Sequence, residues 1–307
     1  MPKMNVSKSI LIDKSPEEVF KHLNDFSKWD AWSPWNILEK NVQLSVAENN
    51  KFHEWVGDIT GSGNMRIISE KENENVFIDL LFLKPFKSKA KVDFQLKQEG
   101  TGTRVTWNMQ SSMPFFLFFM VKAMTIYIGM DFDRGLMLLK DVVEDGEPHC
   151  KLEFNSNGNY SGTSYIGIRS ITTTSKGAEE METEFKKLME YATSKENLIA
   201  GNPFTIYNDW NLVKGKADFI SAVPVESVPG DLPTGFITGK IPSTPTFVVK
   251  STGPYRHIGN AWTSIEMHAR AKKFKKNKSI KPMEVYLNSP KDTPENELLT
   301  EIHMPKV

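Results

Sequence analysis

A chain of 307 residues is long enough for two domains of ordinary size, each able to bury its own core. Apolar residues make up 39% and charged residues 25%, the balance of a soluble globular protein. Lys plus Arg and Asp plus Glu both number 38, so the basic surplus of a phosphate-gripping protein is missing and nucleic-acid binding is not expected. The local basic run Lys272–Lys278 reads as a solvated helix end. Cys150 is the single cysteine, which rules out an intramolecular disulfide and fits a reducing, cytoplasmic setting. Nothing beside it marks a nucleophile, and the first residues lack the apolar core of a signal peptide.

In chain order, a strand is predicted over Val6–Ile12. Ser15-Pro16-Glu17-Glu18 then opens a short helix: serine caps, proline takes the first turn, and Glu18 can close a capping box. Val19, Phe20 and Leu23 give that helix its buried face. Ala90, Val92, Phe94 and Leu96 alternate, as do Val105, Trp107 and Met109, with Gly100-Thr101-Gly102 as the hairpin turn between them. Pro114–Met130 is strongly apolar but slightly short for a membrane span, carries Lys122 and runs on into Phe132, Leu136, Leu139 and Val143. It reads as one long core-facing helix to about Glu144, not as a membrane span. Domain one is placed at 1–145, a polar Gly- and Asn-rich linker at 146–162, and domain two at 163–307.

The second half carries a weak internal repeat: Pro203-Phe204-Thr205-Ile206-Tyr207 aligns with Pro282-Met283-Glu284-Val285-Tyr286. A helix precedes each copy, striped by Met181, Phe185, Leu188 and Ala192 in one and by Ile258, Trp262, Ile265 and Ala269 in the other. Strands are predicted at Tyr165–Ile171 and Thr246–Ser251 before the helices, and at Phe219–Pro224 and Leu299–Pro305 after the repeats. The fold class is therefore α+β: an antiparallel sheet on a long helix, followed by a pseudo-symmetric pair of strand-helix-strand-strand units with a groove between them.

The six histidines, His22, His53, His149, His257, His268 and His303, show no pair at ligand spacing, so no metal site is expected. Gly61-Ser62-Gly63 lacks the lysine and helix of a phosphate loop, and no nucleophile elbow occurs. No cofactor is expected.

Ser15 to Phe20, Phe26 to Trp35, Gly61-Ser62-Gly63, Gly102 to Val105 and the long last helix together resemble the polyketide cyclase and dehydrase-like branch of the START-like (SRPBCC) superfamily. That resemblance implies a helix-grip fold with a hydrophobic pocket, and no chemistry by itself. Pro203 to Trp210, Gly253-Pro254-Tyr255, Glu284-Val285-Tyr286 and Leu299 to Pro305 resemble the GyrI-like effector-binding domain of multidrug-sensing regulators. It implies a glutamate among aromatics, matching Glu284, that accepts cationic, planar or lipophilic molecules. The regulators' helix-turn-helix domain has no counterpart here.

Glu284 is the first candidate, since its repeat partner is Thr205 and symmetry alone demands no carboxylate. Buried among rings, its pKa should rise; it can then hold a cation or act as a general base on water. Tyr207, Tyr255, Trp262 and Tyr286 are the expected aromatic lining, with Asp209 and Trp210 beyond them. In the first half, Trp29, Trp32, Trp35, Trp55, Trp107 and Met109 are candidates for the ligand contact, against simple core packing. Asp30 and Arg104 can orient a polar ligand end or pair at the surface. The expected function is cytoplasmic binding of small hydrophobic or cationic ligands. Two alternatives stay open, both from the resemblance: a hydrolase of strained, cyclopropane-containing compounds using Glu284, and a protein-interaction inhibitor of a topoisomerase. Whether the protein is an enzyme, and its oligomeric state, remain open at this point.

Overall fold

The computed structural model describes residues 2–307, which form two compact units, the first ending at Lys151 and the second running from Leu152 to Val307. Each is built on one antiparallel sheet, of seven and eight strands.

In the first unit β1 (Lys3–Ile12) leads into α1 (Pro16–Leu23), whose capping box is fully formed: Ser15 accepts from the Glu18 amide, and Glu18 accepts from the Ser15 amide. β2 (Gln43–Val46), β3 (Phe52–Gly57), β4 (Gly61–Lys71), β5 (Asn75–Lys84), β6 (Ser88–Glu99) and β7 (Gly102–Ser112) follow as a meander, and β7 returns to pair with β1. The chain then makes a 3-10 turn, Phe115–Met120, and enters α2 (Val121–Asp145). Phe132, Leu136, Leu138, Leu139 and Val142 bury the second half of α2 in the domain core. The leading part is not core-facing as expected: no residue of the 3-10 turn is buried. Hydropathy predicts that a residue prefers burial, but the sheet ends before these rings can reach it.

Sheet and helix meet through aromatics. Trp107 of β7 stacks on Phe132 of α2 with centroids 4.1 Å apart and planes 8° from parallel. α2 approaches this closely because position 135 is glycine; a Cβ there would lie 2.8 Å from the Trp107 ring and 2.9 Å from Pro34. Both are stiff, buried neighbours, so Gly135→Val is expected to cost about 1–3 kcal/mol, the usual range for overpacking. Urea unfolding at constant m-value checks it.

In the second unit the order is β8 (Lys151–Tyr160), β9 (Thr163–Thr173), α3 (Gly177–Thr193), β10 (Phe204–Asn211), β11 (Lys216–Val225), β12 (Ile237–Ile241), β13 (Thr244–Thr252), α4 (Ile258–Arg270), β14 (Met283–Tyr286) and β15 (Leu299–Pro305). β9-α3-β10-β11 and β13-α4-β14-β15 are the two repeats. Across the sheet they run β9-β11-β10 and then β14-β15-β13, a mirrored order with its pseudo-dyad between β10 and β14. The predicted linker 146–162 is thus mostly strand: β8 occupies 151–160 at one edge of the sheet, leaving a connector of only a few residues. Its polar sequence suits an edge. Gly158 is required by closeness, since a Cβ would sit 2.5 Å from the Val248 side chain.

α3 packs on Ile166, Val223 and Val225 through Leu188 and Ala192. α4 packs on Phe247, Val249 and Ile302 through Ala261 and Ile265. Both helices therefore lie on one face of the sheet. On the other face Phe204, Ile206, Ile220, Met283 and Val285 close a separate cluster.

Candidate functional site

Register places the candidate carboxylate. Thr205 pairs directly with Glu284 across the pseudo-dyad, flanked by Ser221 on one side and Ile302 on the other. Directly opposed residues share a face. Ile302 lies under α4, so Glu284 and Thr205 sit on the helix-bearing face, at the seam between the α3 and α4 clusters.

Here the two repeats reach across each other. The Tyr207 hydroxyl donates to Glu284 Oε2 at 3.2 Å, and the Tyr286 hydroxyl lies 3.0 Å from Thr205 Oγ1. Tyr207 and Tyr286 are repeat equivalents, as are Glu284 and Thr205, so these are one contact made twice. The helices repeat the pattern: Trp262 of α4 meets the Tyr207 ring edge-on at 4.9 Å, and Phe185 of α3 meets Tyr286 at 5.4 Å. Symmetry breaks at two linked places. Where one copy has threonine the other has Glu284; where one helix has Phe185 the other has Trp262, whose Nε1 donates to Glu284 Oε2 at 2.7 Å. The indole thus arrives with the carboxylate it serves.

Glu284 is buried, with 4% of its surface exposed. Burial pushes its carboxyl above the ordinary range, and hydrogen bonds from Trp262, Tyr286 and Tyr207 pull it back down. Tyr207 and Tyr286 are driven well above the ordinary phenol value by burial and by the facing Glu284 charge, so both stay protonated donors. Tyr255 packs edge-on against Tyr286 at 5.7 Å, and burial followed by Glu284 pushes its hydroxyl up to about 12. At 37% exposure Tyr255 links this ring cluster to the solvent. The chemistry on offer is a carboxylate in an aromatic surround, hydrogen-bonded by neutral donors and with no cationic partner among the described residues.

All four expected rings converge on Glu284. Trp210 lies one shell out, edge-on to Tyr207 at 5.6 Å, while Asp209 stays on the strand opposite Asp218. A second buried carboxylate, outside the residues expected from the sequence, is Glu184 of α3. It accepts from Ser221 Oγ at 2.6 Å and from Ser170, and burial raises its pKa as well. A glutamate inside Met181-Glu182-Thr183-Glu184 looks like helix surface; only the two serines, distant in sequence, would have given it away.

In the first unit Trp29, Trp32, Trp107 and Met109 are buried and Trp35 and Trp55 partly so. Trp29 and Trp32 lie 4.6 Å apart, and Trp107 packs against Phe94 at 4.8 Å and Trp35 at 5.9 Å. Trp55 is edge-on to Phe82 and stacks on His53, which joins it to the others through Phe26. Trp29 Nε1 donates to the Leu23 carbonyl at 3.1 Å. By contrast Trp32 Nε1, Trp107 Nε1 and His53 Nδ1 are buried with no hydrogen-bond partner among the described residues. Buried polar atoms are usually satisfied, so the two indole donors in one aromatic interior ask for an acceptor. Arg104 forms a two-pronged bridge to Glu99 within its hairpin, and Asp30 accepts from Asn36, so neither pairs with the other. No group of three or more His, Cys, Asp or Glu that can hold a metal occurs among the described residues.

Comparison with known proteins follows the division into units. Residues 3–144 match the family model described as polyketide cyclase/dehydrase and lipid transport. Residues 161–305 match that of an integron-associated effector binding protein. No curated protein matches the chain. Among solved structures, the EcmrR C-terminal domain is similar at 17% identity, covering 52% of this chain and 99% of that one, with a TM-score of 0.42. An EcmrR–DNA complex aligns at 16% identity over 62% of this chain and 70% of that one, TM-score 0.44. The Aha1 dimer of Colwellia psychrerythraea aligns at 17% identity over 47% of this chain and 98% of that one, TM-score 0.34.

Proposed function

We propose that this protein binds small hydrophobic molecules in both units, in the cytoplasm, and that the second unit selects lipophilic cations through Glu284. The observation that carries the reading is the buried Glu284 carboxylate, held by Trp262 and Tyr207 among four aromatic rings. A buried carboxylate is costly unless something repays its desolvation. A planar or lipophilic cation does so twice, by charge and by ring faces. The match of residues 161–305 to an effector-binding family supports the same reading.

In the first unit the ligand is expected to present a hydrogen-bond acceptor, a carbonyl or hydroxyl oxygen, to the Trp32 and Trp107 indoles. Trp107→Phe keeps an aromatic ring and deletes the donor, so affinity for such a ligand should fall about fivefold to tenfold, the worth of one hydrogen bond.

The direct test is equilibrium binding of tetraphenylphosphonium, rhodamine 6G and neutral analogues of equal size to wild type and Glu284→Gln. Cation affinity is expected to drop by roughly two orders of magnitude, the cost of truncating one partner of a buried charge pair. Neutral analogues should change little. Equal losses for both classes, or none, would overturn the assignment of Glu284. Strained cyclopropane electrophiles in the same assay address hydrolysis, in which Glu284 would act as base on water; turnover that vanishes in Glu284→Gln would shift the reading to an enzyme.

A further inference from the structure

The first unit carries a surface that its core does not explain. Phe115, Phe116, Phe118 and Phe119 are 76%, 72%, 61% and 68% exposed. Phe118 touches Phe115 and Phe119 at ring distances of 6.1 and 6.0 Å. The β5–β6 hairpin adds Phe86, 82% exposed. Register brings these segments to one end of the sheet: Ala90 of β6 pairs with Ser111 of β7, Lys3 of β1 pairs with Ser112, and the Met113 amide donates to the Pro2 carbonyl. Scattered exposed apolar residues are ordinary; a contiguous aromatic group of this kind marks a contact surface.

The charges around it identify the contact. Lys3, Lys84, Lys87, Lys89 and Lys122 are all exposed there. No Asp or Glu occurs over residues 1–12, 80–92 or 100–130, so these segments carry one sign of charge. Acidic residues lie on the neighbouring β3–β4 turn, where Asp58 sits and the Glu39 carboxylate accepts from the turn amides. Self-association through this face would set lysines against lysines. We propose that the surface docks on an anionic lipid bilayer, with the phenylalanines entering the headgroup boundary and the lysines on the acidic headgroups.

Docking, not spanning, follows from the geometry. Within Phe115–Asp145 an 18-residue window reaches a mean hydropathy of 1.6, and the helix is long enough to cross a membrane. Its second half, from Phe132 to Val142, is committed to the domain core. Gly129 is already buried against Lys8 and Val6 of β1, so the part ahead of the packed helix is Phe115–Ile128, shorter than the about 20 apolar residues that a span needs. Exposed aromatic rings beside exposed lysines are what an interfacial segment needs.

The test uses the full chain and sedimentation with vesicles of phosphatidylcholine, alone or mixed with phosphatidylserine. Binding is expected to the mixed vesicles and to weaken as salt rises. Lys84→Gln/Lys87→Gln/Lys89→Gln should weaken it roughly a hundredfold, at about fivefold per lysine. Phe115→Ser/Phe116→Ser/Phe118→Ser/Phe119→Ser should weaken it by at least about tenfold. All seven residues are exposed, and unchanged near-UV circular dichroism confirms that the variants fold. No binding by wild type to either vesicle, or binding indifferent to both variants, overturns the proposal. So does a sedimentation-velocity dimer, without vesicle binding, that the serine variant dissociates: the face would then join two copies. None of these outcomes bears on the Glu284 reading, which tests separately.

Discussion

Trp107→Ala is expected to destabilise the first unit by about 3–5 kcal/mol, the range for deleting a large buried aromatic. Trp107 is 2% exposed and touches Phe94, Phe132, Trp29, Trp32 and Trp35, so its removal opens a hole that five rings border. Stacked and edge-on pairs add about 0.5–1.5 kcal/mol each to plain burial, and most of them go together. Melting of this unit should drop by roughly 10 °C. Trp107→Phe separates packing from hydrogen bonding. Its Nε1 has no partner among the described residues, so the phenylalanine variant loses volume but strands no acceptor. It should cost less than half as much as alanine in the unliganded protein, while still weakening an acceptor-bearing ligand. Thermal unfolding by near-UV circular dichroism, with and without ligand, reads both effects. A loss below about 1 kcal/mol for Trp107→Ala would mean that the ring lines open space instead of filling a core.

Local signals in the chain were enough for much of this architecture. Ser15 through Glu18 forms the capping box that its spacing announces, because caps depend on four consecutive residues and little else. The repeat offset of Thr205 and Glu284 becomes a direct cross-strand pair, since two copies of one motif around a dyad must place equivalent positions opposite each other. Signals that depend on partners far away in sequence did not read through. β8 is polar along half its length, and only its neighbour β13 makes it a strand. β12, with Thr238, Gly239 and Lys240 in its middle, is likewise specified by pairing with β9. Glu184 carries no sequence signal of burial, because its partners Ser170 and Ser221 come from two other strands. Phe115 to Phe119 looked buried because composition records preference for burial, not whether the fold supplies a place for it. The Trp262 donor falls between these cases: its helical spacing marked it as inward, but its bond to Glu284 required knowing that α4 lies over the seam.

Glu284→Gln should stabilise the unliganded protein at neutral pH while removing its response to cations. Burial raises the Glu284 carboxyl above its ordinary value of 4.5. A group whose folded value is raised adds stability that is fully present below the unfolded value and lost as pH climbs through the folded one. The wild type therefore weakens across that window, as the buried site is forced to ionise. Glutamine stays neutral and keeps an acceptor for Trp262 and Tyr207, so the variant's curve should separate upward from wild type with rising pH and rejoin it in acid. Glu184 is raised too, and His22 and His53 are lowered by burial, but all three are common to both proteins and cancel in the difference. A lipophilic cation reverses the order. At a hundred times its Kd a ligand adds about 2.7 kcal/mol to the folded state, so saturating tetraphenylphosphonium should lift wild type above the variant. Glutamine offers no charge and should show little of that gain. The measurement is a set of thermal melts at several pH values, each with and without the cation. A variant less stable than wild type at neutral pH would mean that the hydrogen bonds to the carboxylate outweigh its desolvation, and the site would then be built for its own hydrogen-bond geometry instead of for a guest. A cation response that survives in Glu284→Gln would move the binding site away from the pseudo-dyad altogether.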